Sequence, residues 1–228
     1  MNFAGMQKLT LLDYPGKVAC IVFTKGCNFR CPFCHNASLV EGGQGPLISD
    51  TEVLAFLSKR MGVLEGICIS GGEPLLQKDI ADFMRKVKKL GYAVKLDTNG
   101  SNPEILHELI CEGLVDYVAM DIKNTVEKND KTCGTEVDIS KIKKSIEILK
   151  TSGIDYEFRT TLVNELHTVS DVEEIGKELK GDSKYFLQSF VDSGDILCPG
   201  MSAIDEKTVK KMEEKVRENL PNAAVRGI

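Results

Sequence analysis

The sequence predicts an α/β fold, a partial (β/α)6 TIM-like barrel: an open parallel sheet with outer helices. Three observations predict it. Six short apolar runs rich in β-forming residues recur along the 228 residues. Segments with helical period and capping signals lie between them. Polar motifs follow the runs, at the strand ends where such folds keep their chemistry. With no repeat, linker or low-complexity stretch, residues 1–228 read as a single domain.

The first run, 18–24, leads into a cysteine-rich loop. Ser49 and Glu52 then form a capping box ahead of Val53, Phe56 and Leu57. The run 66–70 precedes a helix over 76–90 that Gly91 stops. After the run 92–97, Asn102-Pro103 supplies a cap with proline at the first helical position. The run 115–121 precedes a helical stripe of Ile139, Ile142, Ile146 and Leu149, ended by Gly153. The run 156–162 leads to a second capping box, Ser170 with Glu173. The run 185–191 leads to a last helix starting near Asp205. This alternation implies a parallel sheet with right-handed crossovers. A closed barrel wants about eight repeats, so six suit an open one. Polar motifs at 25–34, 71–74, 97–100 and 121–123 follow the first four runs. Arg159 lies inside the fifth and must point inward.

Apolar residues make up 42% and charged residues 28% of the chain, a globular composition. A net charge of −5 argues against a nucleic-acid-binding surface. No window of about 18 apolar residues exists to span a membrane. The first residues lack the charged start and apolar stretch of a secretory signal. The expected location is the cytoplasm, where cysteines serve as ligands or free thiols rather than disulfides.

Of eight cysteines, three crowd into the loop as Cys27, Cys31 and Cys34, spaced C-x3-C-x2-C. Three thiolates can bind three irons of a cubane and leave the fourth open for a substrate. A structural zinc site with His35 as fourth ligand is the alternative. Zinc sites usually bring two separated ligand pairs, whereas His35 adjoins Cys34. Cys20, Cys68 and Cys111 suit core packing, while Cys133 and Cys198 sit near glycine or proline and read as plain thiols.

The cysteine spacing, with aromatic Phe33 before the last cysteine, resembles the radical S-adenosylmethionine (SAM) superfamily. The resemblance implies a [4Fe–4S] cluster whose open iron chelates SAM, and electron transfer that yields a 5′-deoxyadenosyl radical. Ser70-Gly71-Gly72-Glu73-Pro74 resembles that superfamily's GGE motif, which places Gly71, Gly72 and Glu73 at the SAM amino group. Asp97-Thr98-Asn99-Gly100 is by itself an Asn-Gly turn, yet Asp97 at a strand end can also accept from an ammonium. In this setting Lys123 could neutralise the SAM carboxylate and Asp121 could take a hydroxyl or a cation. Arg159, an arginine in an apolar run, needs a partner that a bound carboxylate would supply.

Cys-His-Asn after the cluster loop, the DTNG motif and D-x-K together resemble the glycyl-radical-enzyme activating enzymes, including pyruvate formate-lyase activating enzyme. Residues 9–16 (LTLLDYPG), the FTKGCNFRCPFCHN stretch and Val225-Arg226-Gly227 are more similar to anaerobic ribonucleoside-triphosphate reductase activating proteins of the longer type. This resemblance implies a glycyl radical enzyme as protein substrate and a flavodoxin- or ferredoxin-type electron donor. Two departures stand out. No cysteine lies between Cys34 and Gly66, which excludes a ferredoxin-like insert. The sixth strand has Gln188 where the pyruvate formate-lyase activator has a SAM-contacting histidine. Two further readings compete: a small-molecule radical SAM enzyme of the deazaguanine-forming kind, and a non-enzymatic iron–sulfur or zinc module. The former usually follows the last cysteine with Asp-Thr, not His35-Asn36. The loop at 34–49, with Gly42, Gly43, Gly45 and Pro46, either receives a substrate peptide or is an ordinary surface connection.

Overall fold

The structure is a computed structural model that describes residues 1–40, 45–192 and 194–227. In chain order it forms β1 (Asn2–Phe3), β2 (Gly5–Thr10), β3 (Ala19–Thr24), α1 (Ala37–Val40), β4 (Ile48–Ser49) and α2 (Asp50–Ser58). There follow β5 (Gly66–Gly71), α3 (Ile80–Lys89), β6 (Ala93–Thr98), α4 (Pro103–Cys111), β7 (Tyr117–Asp121) and α5 (Asn129–Cys133). The chain continues through α6 (Ile139–Ser152), β8 (Asp155–Leu162), α7 (Val169–Leu179), β9 (Lys184–Ser189), α8 (Glu206–Arg217) and β10 (Ala223–Arg226).

One open sheet runs β10-β9-β8-β7-β6-β5-β3-β2. All its pairings are parallel except β2 with β3. The six predicted strands are its centre, each within two residues of the predicted bounds. Two flanking strands complete it. β2 is an antiparallel edge whose Gln7, Lys8 and Leu9 are exposed, so it shows no apolar alternation. β10 is only four residues long.

The outward sides of the strands make the main core with the helices, from Val22, Ile67, Ile69, Leu96, Val118, Phe158, Tyr185 and Leu187. Period-two alternation then turns Cys68, Lys95, Asp97, Tyr117, Asp121, Glu157 and Arg159 into the barrel interior. Register stacks them in layers: Cys68 beside Lys95, Lys95 beside Tyr117, and Asp121 beside Arg159.

Helix boundaries follow local chemistry. The Ser49–Glu52 capping box forms as expected. The second predicted box does not. Ser170 lies inside α7, and the cap is Thr168 with Asp171, whose carboxylate also binds Lys128 at 2.7 Å. The helix expected over 76–90 starts only at Ile80, because Gln77 is extended and its amide donates to the Lys25 carbonyl at 2.9 Å. Asn102 precedes Pro103 without capping through its side chain. Gly153, at φ 75°, ends α6 as predicted.

Candidate functional site

All three loop cysteines and the ten other candidates (Phe33, Gly71, Gly72, Glu73, Asp97, Thr98, Asp121, Lys123, Arg159 and Gln188) line one cavity of about 520 Å³ at the carboxyl ends of the strands. A volume of that size suits a cofactor-sized molecule.

The cysteine loop is tied down on three sides. The Glu73 N–H donates to the Gly26 carbonyl at 2.8 Å, the Arg30 N–H to the Cys133 carbonyl at 2.7 Å, and the Cys198 N–H to the Pro32 carbonyl at 2.9 Å. The first tie explains the paired glycines. A Cβ on Gly72 would lie 1.9 Å from the Gly26 oxygen, and one on Gly71, at φ +118°, 2.3 Å from the Thr24 nitrogen. Only glycine allows this approach.

Burial pushes the Cys27 thiol up to about 11 and raises Cys34 as well. The neighbouring Cys133 thiol lowers Cys31 below the usual thiol range. The Phe29 N–H lies 3.4 Å from the Cys27 sulfur, and the Asn99 amide nitrogen 4.0 Å from it. Among the described residues, no three Cys, His, Asp or Glu side chains gather tightly enough for one metal ion. Three thiolates that each take a separate iron of a cubane have no need to. Soft sulfur donors in a shared cavity, with N–H groups directed at sulfur, fit an iron–sulfur group. His35 is exposed at the cavity rim rather than drawn inward beside the cysteines.

Across the cavity floor runs a chain of alternating charges: Lys95, Asp97, Arg159, Asp121 and Lys123. Lys95, 2% exposed, binds Asp97. Arg159 lies 3.6 Å from Asp97 and donates through Nε to Asp121 at 3.0 Å. Lys123 reaches Asp121 at 2.9 Å. Burial works against ionised Asp121, but Lys123 and Arg159 hold its carboxyl well below the usual range. Burial likewise opposes charge on Lys123, and Asp121 keeps it protonated. Arg159 points inward, as its place in the apolar run requires. Glu73 accepts from the Leu75 N–H, the Thr98 hydroxyl and the Asn99 N–H at 3.1, 2.8 and 2.7 Å. Burial still pushes it up to about 7 against these donors.

Residues absent from the predicted set also line or brace the cavity. Asn99 joins Asn28, which receives its amide at 2.9 Å. Lys95 stands beneath Asp97. Its signal was present, since positions 95 and 97 share a strand face. Of the remaining cysteines, Cys20 and Cys68 are buried, while Cys111 is exposed on α4 beside His107 rather than in the core. Gly42 and Gly43 lie outside the described residues, and Gly45 and Pro46 are exposed.

An open parallel barrel with a three-thiol loop at its mouth defines a class before any relative is considered. Residues 21–179 match the radical SAM superfamily, and the chain belongs to it. Its enzymes use a [4Fe–4S] cluster and SAM. Two relatives extend over nearly the whole chain. A Methanocaldococcus jannaschii protein, provisionally named a glycyl-radical enzyme activating enzyme, is 33% identical over 99% of this chain and 95% of its own. The pyruvate formate-lyase-activating enzyme of Clostridium pasteurianum is 24% identical, covering 95% and 97%. Among solved structures, Streptococcus suis SuiB bound to precursor peptide SuiA superposes with a TM-score of 0.73 at 16% identity. It covers 91% of this chain and 48% of SuiB, a likeness of fold alone. No helix among the described residues is long and apolar enough to cross a membrane.

Proposed function

We propose that this chain is a radical SAM activase. It abstracts hydrogen from a backbone glycine of a partner glycyl radical enzyme, with anaerobic ribonucleotide reductase as the expected partner. The end-to-end match to proteins named as activating enzymes carries this reading. Cys27, Cys31 and Cys34 are the proposed cluster ligands. A cluster held there would supply the one electron needed for reductive cleavage of SAM to a 5′-deoxyadenosyl radical.

The chain's own residues do the rest. Lys123 and Arg159 offer cationic donors to the SAM carboxylate, and Asp121 keeps both charged and in place. The backbone at Gly71 and Gly72 can approach the amino group closely, with Glu73 and Thr98 bonded beneath it. Asp97, anchored by Lys95, offers a carboxylate to a further donor on the ligand. Gln188, which lines the cavity, would contribute a neutral amide in place of the histidine of the pyruvate formate-lyase activator. Phe33, 4% exposed, covers the cysteines from the apolar side. A flavodoxin or ferredoxin is the proposed electron source.

The test combines anaerobically reduced protein, SAM and a candidate glycyl radical enzyme. A doublet-like organic radical on the partner, and transfer of deuterium from its labelled glycine into 5′-deoxyadenosine, are expected. Turnover of a small nucleoside precursor, with no transfer from any glycyl radical enzyme of the source organism, would overturn the activase reading.

A further inference from the structure

Cys133, which the sequence leaves as a plain thiol, is 0% exposed and belongs to a small apolar cluster with Cys31, Phe29, Phe33 and Phe190. Its backbone carbonyl receives the Arg30 N–H at 2.7 Å, one residue before Cys31. The next residue, Gly134, ends α5 at φ +64°, where a Cβ would fall 2.2 Å from the Arg30 oxygen. The end of α5 therefore lies flush against the cysteine loop, and the position of Cys133 relative to Cys31 is fixed by backbone rather than by a mobile side chain. Cys133 and Cys31 thus pack in one buried cluster, with the backbone of their two segments bonded together. In this arrangement the Cys133 thiol donates to Asn129 Oδ1 at 3.6 Å.

We infer that the Cys133 thiol donates a hydrogen bond to the Cys31 sulfur and thereby raises the reduction potential of the bound cluster. This rests on the proposed assignment of Cys31 as a cluster ligand. A ligand thiolate is a charged acceptor and draws the single S–H proton away from the neutral Asn129 amide oxygen. When one electron from an external reductant enters the cluster, negative charge on the sulfurs grows, and a fixed donor stabilises the reduced form more than the oxidised one. No proton moves in this step; it stays on Cys133. The apolar surroundings strengthen the effect, since no water competes for the thiolate. Cys133 is thus a positioning and tuning residue, not a ligand.

The test compares wild type with Cys133→Val, Cys133→Ala and Cys133→Ser, each loaded anaerobically and measured first for iron per chain. Midpoint potentials are then taken without SAM by spin-resonance-monitored reductive titration. A hydrogen bond to a charged group is worth about a tenfold change in the reduction equilibrium, or ~59 mV for one electron. Val and Ala should lower the potential by that order, and Ser, which retains a donor, should keep it at or above the wild-type value. If Val fails to load, Ala and Ser carry the comparison. Equal potentials in fully loaded variants would overturn the inference. So would loss of iron from all three with the wild type loaded, which would make Cys133 a ligand. A wild-type chain that takes up no iron would overturn the ligand assignment itself, and the inference with it.

Discussion

The barrel interior holds two ionic networks, one centred on Glu157 near the amino end of β8 and reached by Arg226 from the end of β10, the other at the carboxyl ends. Toward the amino ends, Glu157 is 1% exposed. It accepts both guanidinium nitrogens of Arg226 at 2.8 and 2.9 Å and the Tyr117 hydroxyl at 2.8 Å. Arg226 also stacks 3.2 Å over the Phe186 ring. One anion meets one cation in a bidentate pair, and the carboxylate is satisfied on both oxygens. At the carboxyl ends, three cations (Lys95, Arg159 and Lys123) share two carboxylates, Asp97 and Asp121. That chain carries one positive charge in excess and faces a cavity rather than a packed plug. The lower network satisfies its one carboxylate and joins the last strand to the sheet, touching the upper one where Lys95 stands over the Tyr117 ring. The upper one is where we propose that an anionic group of the ligand binds.

The largest effect expected at the upper end is all-or-none. Changing Cys27, Cys31 or Cys34 to Ala should remove the cluster, taking iron from about four per chain to a small residue, and with it SAM cleavage. Iron analysis of anaerobically prepared protein checks this, and stoichiometric zinc without iron in the wild type would end the cluster reading.

Next come the charges around the cavity. Lys123→Ala and Asp97→Ala should each weaken SAM binding about a hundredfold, the usual scale for truncating one member of a desolvated charge pair, with iron content unchanged. Equilibrium binding to the loaded protein measures it. Normal affinity in both variants would remove these residues from the site while leaving the superfamily assignment intact.

The lower network should respond in stability instead. Arg226→Met strands a carboxylate that has no access to water and should cost about 3 kcal/mol. Glu157→Gln leaves Arg226, whose side chain is 38% exposed and can turn to solvent, so its cost should be about 1–2 kcal/mol. Denaturant unfolding gives both numbers, and SAM affinity should stay within about twofold of wild type. If Arg226→Met weakened SAM binding as much as Lys123→Ala, the two ends would be one coupled unit and the contrast between them would fail.

What the sequence disclosed of these two ends differs for a physical reason. The upper site was legible because strand-end polar residues interrupt apolar runs, and the cysteine spacing is a strong local signal. The lower network was not, because its partners are remote in sequence. Glu157 and Arg226 are 69 positions apart and meet only once the last strand pairs with β9. Lys95 and Glu157 share strand faces with Asp97 and Arg159, so alternation alone could have assigned them to the interior. Two short matches to one capping pattern, Thr168–Asp171 and Ser170–Glu173, overlap along the chain, and the contact with Lys128 that favours the first is tertiary. The burial of Cys133 also depends on how α5 docks on the cysteine loop, which no local pattern encodes.

The smallest expected effect concerns Glu73, which belongs to the upper end but is bonded like the lower one. Burial raises its carboxyl from 4.5 to about 7, while three donors pull the other way. Between those values the folded chain holds a proton that the unfolded chain has released. At this group the folded state therefore binds more protons than the unfolded one, and the Glu73 contribution to stability falls as pH rises from about 4.5 to about 7, then levels off. At about 1.4 kcal/mol per unit, the loss is at most ~3 kcal/mol. Glu73→Gln cannot titrate, so this contribution should be absent from its stability curve. It should also start lower, because an amide NH2 replaces one acceptor facing the Leu75, Thr98 and Asn99 donors. The gap between wild type and variant should then narrow as pH rises, and unfolding free energies at several pH values measure it. Parallel curves would mean that the three donors outweigh burial and keep Glu73 ionised throughout, which would make it a fixed anion beside the cavity like Asp121.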